Sequence, residues 1–307
     1  MPCPPLPGWW RPLTKSWTDE RRRKSAVKVA VVPNLTKKEA KACTDEVLAI
    51  LEQSGCSTIL KTDLFDQNGV YRESRDERLG SCDLILAVGG DGTIIHTAKS
   101  AALYDKPILG VNAGKLGFTA GLERDELHLL AGLVKGEFTE ERRLMLEITV
   151  TSSLGERKYF ALNDAVVTGE LAKIIDYRMA LGSNHGYNYR ADGFIVATPT
   201  GSTAYSLSAG GPVVEPAMDC LIYTPICPHS LFSRSVIFGG STHLTVDIPR
   251  NLGRLFLTVD GEDPVELRSG YRLSFYRSQR AARFVKLTGS DFYDRLNQKI
   301  IEVQGYM

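Results

Sequence analysis

The chain has 307 residues, of which 43% are apolar and 24% charged, and its formal net charge is +1. This length predicts roughly two domains, the composition excludes disorder over most of the chain, and the balanced charge disfavours a nucleic-acid or membrane-surface role that rests on bulk charge. No apolar run approaches the roughly 18 residues of a membrane-spanning helix, and six scattered cysteines without a CxxC pair are typical of reduced thiols in a cytoplasmic protein.

Residues 1–26 differ from the rest of the chain. They hold five prolines, a basic run at 21–24 and all three tryptophans, with no apolar periodicity. The absence of a long apolar stretch excludes a secretory signal. We expect a disordered extension; the alternative is that its tryptophans dock on a partner or on the body of the protein.

Residues 27–141 alternate between predicted strands and predicted helices. The helices are expected after a cap at Thr36, at 94–103 and at 123–135. Short apolar runs between them predict buried strands at 27–32, 57–61, 83–88 and 107–111. This alternation favours an α/β domain with a parallel, helix-covered sheet of Rossmann-like or phosphofructokinase-like type.

The pattern changes near residue 142. Short strand candidates separated by turn residues follow at 146–150, 158–162, 174–181, 193–197, 235–238, 244–248, 255–259 and 271–276. Little helical periodicity lies between them, which predicts an all-β sandwich of antiparallel sheets over residues 142–284. A closing helix is expected at 292–303.

A glycine-rich turn follows the third predicted strand. Gly89-Gly90-Asp91-Gly92-Thr93 stands where open α/β sheets bind ligands, and glycines there let backbone N–H groups approach phosphate. The turn matches neither the P-loop nor the dinucleotide GxGxxG pattern. Asp91 suits a proton acceptor for an attacking hydroxyl, or a ligand of a divalent ion. The alternative is an Asx-turn or a helix N-cap.

Three further polar segments follow apolar runs. Gly110–Phe118 is a second glycine-rich turn, and Asn163–Asp164 offers acceptors that suit ribose hydroxyls; a tight turn and a strand bulge are the alternatives. Ala191–Pro212 leads from a buried strand into dense hydroxyls and glycines, which suits a polar ligand but also an ordinary Ser/Thr-rich loop. No GxSxG motif occurs, and the five histidines lack metal-ligand spacing.

Taken together, these segments resemble the bacterial NAD kinase family over roughly residues 27–300. Gly89–Thr93 is similar to that family's GGDG motif, Gly110–Phe118 to its GxNxGxLGF segment, and Asn163–Asp164 to its NE/ND motif. GGDG alone is a weak signal, since diacylglycerol kinases, sphingosine kinases and phosphofructokinases share it.

The serine- and threonine-rich segment carries the specific part of the resemblance. Asp192–Pro212 is similar to the family's DG…TPTGSTAYSLSAGGP tract, and Leu221–His229 is similar to the LTPICPH segment that follows it. The resemblance implies an α/β domain, a β-sandwich domain, a chain end (about 285–307) that returns to the first domain, and assembly into homodimers or homotetramers. It implies phosphoryl transfer from ATP, with a divalent cation such as Mg²⁺, to the 2′-hydroxyl of the adenosine ribose of NAD, giving NADP.

The resemblance also assigns roles to residues. Asp91 would accept the proton of the ribose hydroxyl. Arg190 and Asp192 would contact substrate, either in the same subunit or in a neighbouring one. The other positions implied to bind nucleotide are Gly90, Gly92, His96, Asn112, Asn163, Asp164, Lys173, Thr200, Thr203, Ala204, Tyr205, Ser206, Leu207, Ser208 and Glu262.

Two departures from the family pattern stand out. Glu262 follows Asp260-Gly261 where many members have a glutamine, and a carboxylate accepts hydrogen bonds but cannot donate them. The extension before residue 27 has no counterpart in the shortest members. A lipid kinase and a dinucleotide-sensing module without turnover are the alternative functions, while donor preference, NADH acceptance, feedback inhibition and dimer versus tetramer stay open.

Overall fold

The computed structural model describes residues 26–72, 76–114, 117–170, 173–182, 186–230, 233–249, 253–287, 289 and 292–304. The predicted extension at 1–26 lies outside the described residues except for Ala26. In the described part of the chain, no helix has the length and apolar character needed to cross a bilayer. The described cysteines are free thiols, and all but Cys227 are buried.

The first half of the chain forms the predicted parallel sheet. Its strands pair in the order β2-β1-β3-β4. The strands and their helices are β1 (Lys28–Pro33), α1 (Ala40–Gln53), β2 (Ser57–Leu60), α2 (Glu77–Gly80), β3 (Leu84–Gly89), α3 (Asp91–Leu103), β4 (Pro107–Asn112) and α4 (Ala131–Lys135).

Helices cover both faces of this sheet, because successive side chains of a strand point to opposite sides. Val29 and Val31 of β1 pack with Val47 of α1, whereas Ala30 packs on the opposite side with Ile94 of α3. A strand buried on both faces needs a continuous apolar run. That is why the strand predictions from short apolar segments are confirmed here.

Two local predictions differ from the structure. Thr36 does not cap α1, because this helix begins only at Ala40 with Glu39 as its N-cap residue; the Thr36 hydroxyl donates to Asn34 Oδ1 at 2.7 Å instead. The helix predicted over 123–135 is a 3₁₀ helix at Arg124–Leu130 followed by the short α4.

The second half forms the predicted β-sandwich. One layer contains β5 (Thr139–Ser152), β6 (Gly155–Ala161), β8 (Ile175–Leu181), β9 (Tyr187–Ala191), β13 (Leu244–Asp247) and β16 (Arg272–Lys286). The other pairs in the order β12-β11-β10-β7-β14-β15, with bounds β7 (Asp164–Gly169), β10 (Gly193–Ala197), β11 (Cys220–Ile226), β12 (Val236–Gly239), β14 (Leu255–Val259) and β15 (Val265–Leu267). Ile148 and Phe275 from the first layer and Phe194 and Leu257 from the second share one buried core.

The two halves share a sheet. Near its start β16 pairs antiparallel with β5 and β13, and near its end Arg283 and Phe284 pair parallel with Pro107 and Ile108 of β4. A single ten-stranded sheet therefore runs through both halves. The predicted domain boundaries at 141/142 and near 285 fall inside β5 and β16. Further helices among the described residues are a 3₁₀ helix at Thr200–Thr203, α5 (Tyr205–Ser208) and the C-terminal α6 (Phe292–Gln304).

Candidate active site

The first glycine-rich turn joins β3 directly to α3. Gly90 is the N-cap of α3 in an extended conformation, and Asp91 is the first helical residue, so Asp91 is not the N-cap. A Cβ added to Gly90 or Gly92 would meet no atom within 4 Å. The backbone at these two glycines is therefore open at the end of the sheet, beside the positive end of the α3 dipole.

Asp91 holds the second glycine-rich turn. Its Oδ2 accepts the Phe118 N–H at 3.0 Å, and its Oδ1 accepts the Thr119 N–H at 3.0 Å. A Cβ at Gly117 would lie 2.2 Å from Asp91 Oδ1, so only glycine permits this approach. Because these bonds reach a distant segment, the Asx-turn interpretation of Asp91 is wrong.

Asn112 supports the same region from the end of β4. Its Nδ2 donates to Glu123 Oε2 at 2.7 Å, and its Oδ1 accepts the Gly114 N–H at 3.1 Å. The side chain is almost completely buried. The structure thus gives Asn112 a role in shaping the turn, and its predicted nucleotide contact stays a prediction.

Asp260 organises a second cluster around the Asn163–Asp164 segment. Its carboxylate is fully buried and accepts the backbone N–H groups of Leu162, Asn163 and Asp164 at 2.8, 2.8 and 3.1 Å. Its own N–H donates to the Asp164 carbonyl at 3.0 Å. Asp260 has a left-handed φ of 48°, a conformation that aspartate and asparagine tolerate better than most residues. It therefore fixes the chain between β6 and β7.

Lys99 connects this cluster to α3. Its Nζ lies 3.4 Å from Asp260 Oδ2 and makes a shorter contact with Glu262 Oε1. Lys99 and Asp91 stand on one helix, separated by about 12 Å along its axis at ~1.5 Å per residue. The lysine therefore ties the helix that carries Asp91 to the segment that carries Asn163 and Asp164.

Glu262 and His96 complete the cluster. His96 Nδ1 lies 3.4 Å from Glu262 Oε1, too poorly aligned for a hydrogen bond, and the imidazole stacks on Tyr71 with ring centroids 4.7 Å apart. Burial alone would raise the pKa of Glu262, but His96 and Lys99 outweigh it and hold that pKa below its usual value. The carboxylate that departs from the family pattern is thus balanced by a lysine within this chain.

Asp164 is a buried carboxyl close to another carboxylate. Burial first and the charge of Asp260 second raise the pKa of Asp164 to about 7, against a hydrogen bond from the Tyr205 backbone N–H that favours ionisation. Asp164 therefore titrates near neutral pH at the centre of the cluster.

This shift predicts a pH dependence of stability. In the unfolded chain Asp164 loses its proton near pH 4, whereas in the folded chain it keeps the proton up to about pH 7. Folding thus takes up a proton between these values, and the free energy of unfolding falls as pH rises through this window. Asp164→Asn, which mimics the neutral acid, should match wild type near pH 4 and exceed its stability by roughly 2–4 kcal/mol at pH 8.

Urea unfolding of both proteins at pH 4, 6 and 8 checks this prediction. Other titrating groups affect wild type and variant alike, so the difference between the two curves isolates Asp164. A difference that stays constant with pH would contradict a proton held by this carboxyl.

The Thr198–Ser208 segment packs directly on Asn163. The Thr198 N–H donates to the Asn163 carbonyl at 2.8 Å, and a Cβ at Gly201 would lie 2.1 Å from that oxygen. Ser206 is buried, with its hydroxyl 2.9 Å from Thr224 Oγ1. The hydroxyl of Thr200 is buried without a hydrogen-bond partner within the described residues.

The end of this segment is more open. Thr203 and Ala204 are half-buried, whereas Tyr205, Leu207 and Ser208 are exposed. The Thr203 hydroxyl makes only a long contact, 3.4 Å, with the Thr200 carbonyl. Exposed apolar and hydroxyl groups therefore stand beside the buried Asp164, as a ligand-binding surface requires.

Two known protein-family models match this chain. The model of the ATP-NAD kinase N-terminal domain matches residues 20–138, and that of the ATP-NAD kinase C-terminal domain matches residues 162–287. The chain belongs to the NAD kinase family.

Individual NAD kinases agree over most of the length. The chain is 41% identical to the NAD kinase of Symbiobacterium thermophilum, covering 89% of this chain and 98% of that protein. It is 36% identical to the NAD kinase of Natranaerobius thermophilus, covering 89% and 97%. The predicted resemblance is thereby confirmed.

Solved structures of relatives show the same fold. An NAD kinase from Archaeoglobus fulgidus, solved with ATP, has a TM-score of 0.67 at 27% identity and covers 89% of this chain and 98% of that one. A yeast NADH kinase solved with NADH has a TM-score of 0.78 at 24% identity, over 90% and 87% of the two chains. These neighbours confirm the α/β domain and the β-sandwich.

Three residues assigned by the NAD kinase pattern lie elsewhere. Asp192 precedes β10 at the end opposite Asn163, about 20 Å away along a strand that rises ~3.3 Å per residue. Lys173 is exposed near that end, and exposed Arg190 lies 3.5 Å from Asp176 Oδ1. Within one chain these residues do not join the Asp164 cluster, and their contacts with nucleotide stay predictions.

Sequence reasoning missed two charged residues of the second cluster, Lys99 and Asp260. From the sequence, Lys99 is an ordinary polar residue of α3. The only available signal is its position on the same helix as Asp91, two turns further on. In the sequence pattern Asp260 is only a neighbour of Glu262. A charged residue in a turn after a strand carries no signal that its carboxylate is fully buried, because that depends on the distant 162–164 segment.

Proposed function

We propose that this chain transfers the terminal phosphoryl group of ATP to the 2′-hydroxyl of the adenosine ribose of NAD. The observation that supports this best is the position of the Asp91 carboxylate between the two glycine-rich turns, at the open end of α3. In this reaction the hydroxyl oxygen forms the new O–P bond, its proton passes to Asp91, and ADP leaves with the electrons of the broken bond. The products are NADP and ADP.

The geometry of Asp91 is compatible with that role. Each carboxylate oxygen accepts one backbone N–H, from Phe118 and from Thr119, and each keeps a second lone pair. Two fixed N–H donors also hold the carboxylate in one orientation. A positioned base contributes about 10²–10⁴-fold to a rate.

The open glycines are suited to the phosphates of the donor. Backbone N–H groups at Gly90 and Gly92 and the α3 N-terminus attract anionic oxygens without side chains in the way. Among the described residues, no three His, Cys, Asp or Glu side chains converge to hold a metal ion. Mg²⁺ commonly binds through one or two carboxylates, water and substrate phosphates, and Asp91 fits such a ligand set. When bound, the cation neutralises developing phosphate charge.

The second cluster is suited to the dinucleotide. Asp164 and Asn163 offer acceptors for ribose hydroxyls, exposed Tyr205 offers an aromatic surface for a base, and the unpartnered Thr200 hydroxyl lies within the same segment. Since Lys99 joins this cluster to the helix of Asp91, one extended ligand can contact both ends. Arg190, Asp192 and Lys173 would then serve the site of a second subunit in a homodimer or homotetramer in the cytoplasm.

The test is the reaction itself. Purified chain is incubated with NAD, ATP and Mg²⁺, and NADP is detected with an NADP-specific dehydrogenase; we expect continuous NADP formation. Parallel reactions with NADH, other nucleoside triphosphates and polyphosphate define the acceptor and donor. NAD binding without NADP would favour a sensing module, and phosphorylation of a lipid in place of NAD would favour a lipid kinase.

A further inference from the structure

A separate cleft opens where β5 and β16 lose their regular pairing. Arg277 stands opposite Leu146 and Ala281 opposite Leu144, so three residues of β16 face one of β5. The buried Ser278 hydroxyl accepts the Arg280 N–H at 3.0 Å and fixes this bulge. Bulges redirect side chains and are over-represented beside functional sites.

Positive charge dominates this space, which we call the arginine cleft. Its volume is about 140 Å³, and the residues that line it include Arg142, Arg143, Asp219, Arg277, Ser278 and Arg280. Four arginines thus share the lining with one carboxylate, although the Arg143 guanidinium itself lies over the Phe284 ring, outside this lining. The chain as a whole is almost neutral, so this concentration of charge is local.

Only part of that charge is compensated. Arg277 Nη1 lies 3.1 Å from Asp219 Oδ2, and Arg143 donates through Nε to Glu141 at 2.8 Å. The guanidinium groups of Arg142 and Arg280 form no hydrogen bond or ion pair within the described part of the chain. The like charges of Arg142, Arg277 and Arg280 around this space repel each other, and a bound anion would relieve this repulsion.

Arg280 is also held in place for an anion. Its guanidinium lies 4.4 Å from the centre of the Phe160 ring, and such stacking orients the planar group while its N–H donors remain in the plane. Burial would raise the pKa of the neighbouring Glu147, but hydrogen bonds from Lys158 and Tyr276 hold that pKa below its usual value, and Arg280 adds only its charge. Arg280 therefore keeps its donors for another partner.

We propose that the arginine cleft binds a small, multiply charged phosphate anion. Guanidinium groups bind phosphate oxygens in pairs of parallel hydrogen bonds, and several of them recognise phosphate better than a single-charge anion. The volume equals that of about four to five water molecules, enough for a phosphate or diphosphate group. The inference does not rest on the proposed phosphoryl transfer, because no residue of the cleft belongs to the Asp91 or Asp164 cluster.

The test measures binding of inorganic pyrophosphate to the full chain by calorimetry, at constant ionic strength and with saturating NADP. The test variant is Arg142→Gln/Arg280→Gln, which removes two guanidinium groups that form no hydrogen bond or ion pair within the described residues. The matched control is Arg272→Gln, on the same strand but paired with Asp247 outside the cleft. We expect the double variant to lose about tenfold or more in affinity at one site, and the control to bind like wild type.

Both proteins should keep wild-type NADP formation in the absence of added pyrophosphate. Unchanged pyrophosphate affinity in the double variant would overturn the proposal, as would equal thermal stabilisation by chloride at the same ionic strength. Titration with ADP separates two sources of the anion. Tighter binding of ADP than of pyrophosphate at this site assigns it to the phosphate tail of a nucleotide, and equal or weaker binding assigns it to free phosphate.

Discussion

Asp91→Asn is expected to lower kcat for NADP formation by about 10²–10⁴-fold, the usual contribution of a positioned base. The asparagine lacks the basic carboxylate. It also offers only one acceptor oxygen, so either the Phe118 or the Thr119 N–H loses its partner. The measurement is kcat over a range of pH, with circular dichroism to show that the variant is folded.

Gly117→Ala separates the two consequences of the Asp91 change. A Cβ at this position would lie 2.2 Å from Asp91 Oδ1, so alanine displaces the loop while the carboxylate remains. If Asp91 acts as the base, Asp91→Asn should be the slower enzyme and should lose the fall in rate on the acid side of the pH profile. Equal losses with unchanged pH profiles would reduce Asp91 to a positioning residue.

The second large effect is expected at Asp260. Asp260→Ala leaves three backbone N–H groups at 162–164 without an acceptor and removes a carboxylate from beside Lys99. Breaking a buried charge cluster in this way costs about 3–5 kcal/mol. Urea unfolding should show this loss, and NADP formation should fall with it because the Asn163–Asp164 segment is no longer fixed.

Two comparisons sharpen the Asp260 prediction. Asp260→Asn tolerates the left-handed backbone and keeps one acceptor oxygen, so its loss should be intermediate, and the pKa of Asp164 should fall because a neighbouring charge is gone. Asp247→Ala removes an exposed partner of Arg272 and should change the free energy of unfolding by less than ~1 kcal/mol. If Asp260→Ala lowers the free energy of unfolding no more than Asp247→Ala does, Asp260 does not fix the chain between β6 and β7.

Most of the fold could be predicted because buried strands can be recognised in the sequence as apolar runs. The strand predictions omitted β7 and β11, although both are apolar and buried, and β15, which has only three residues. Two other strands were hard to recognise from their composition. β9 is an edge strand with the polar sequence YNYRA, and β16 is interrupted by the bulge residues 278–280, so only its beginning could be recognised. Apolar patterning reports burial, and it fails where a strand is half exposed or irregular.

The parts of the candidate site that could be predicted are those whose residues are adjacent in the sequence. The glycine turn around Asp91 carries its own geometry, since glycines, a strand end and a helix start are adjacent in the chain. The partners of Asp91, at Phe118 and Thr119, and the links from Lys99 to Asp260 and Glu262 come from distant segments. Such pairs depend on the finished fold, and no short pattern encodes them.

The strand shared by the two halves has a mechanical consequence. A hinge between the α/β half and the β-sandwich would have to break the hydrogen bonds that β16 makes with β4. Rigid-body opening is therefore disfavoured, and the spacing between the Asp91 turn and the Asp164 cluster is set by the sheet. Entry and release of ligands fall to the loops above it, and the two halves should unfold together in one cooperative transition.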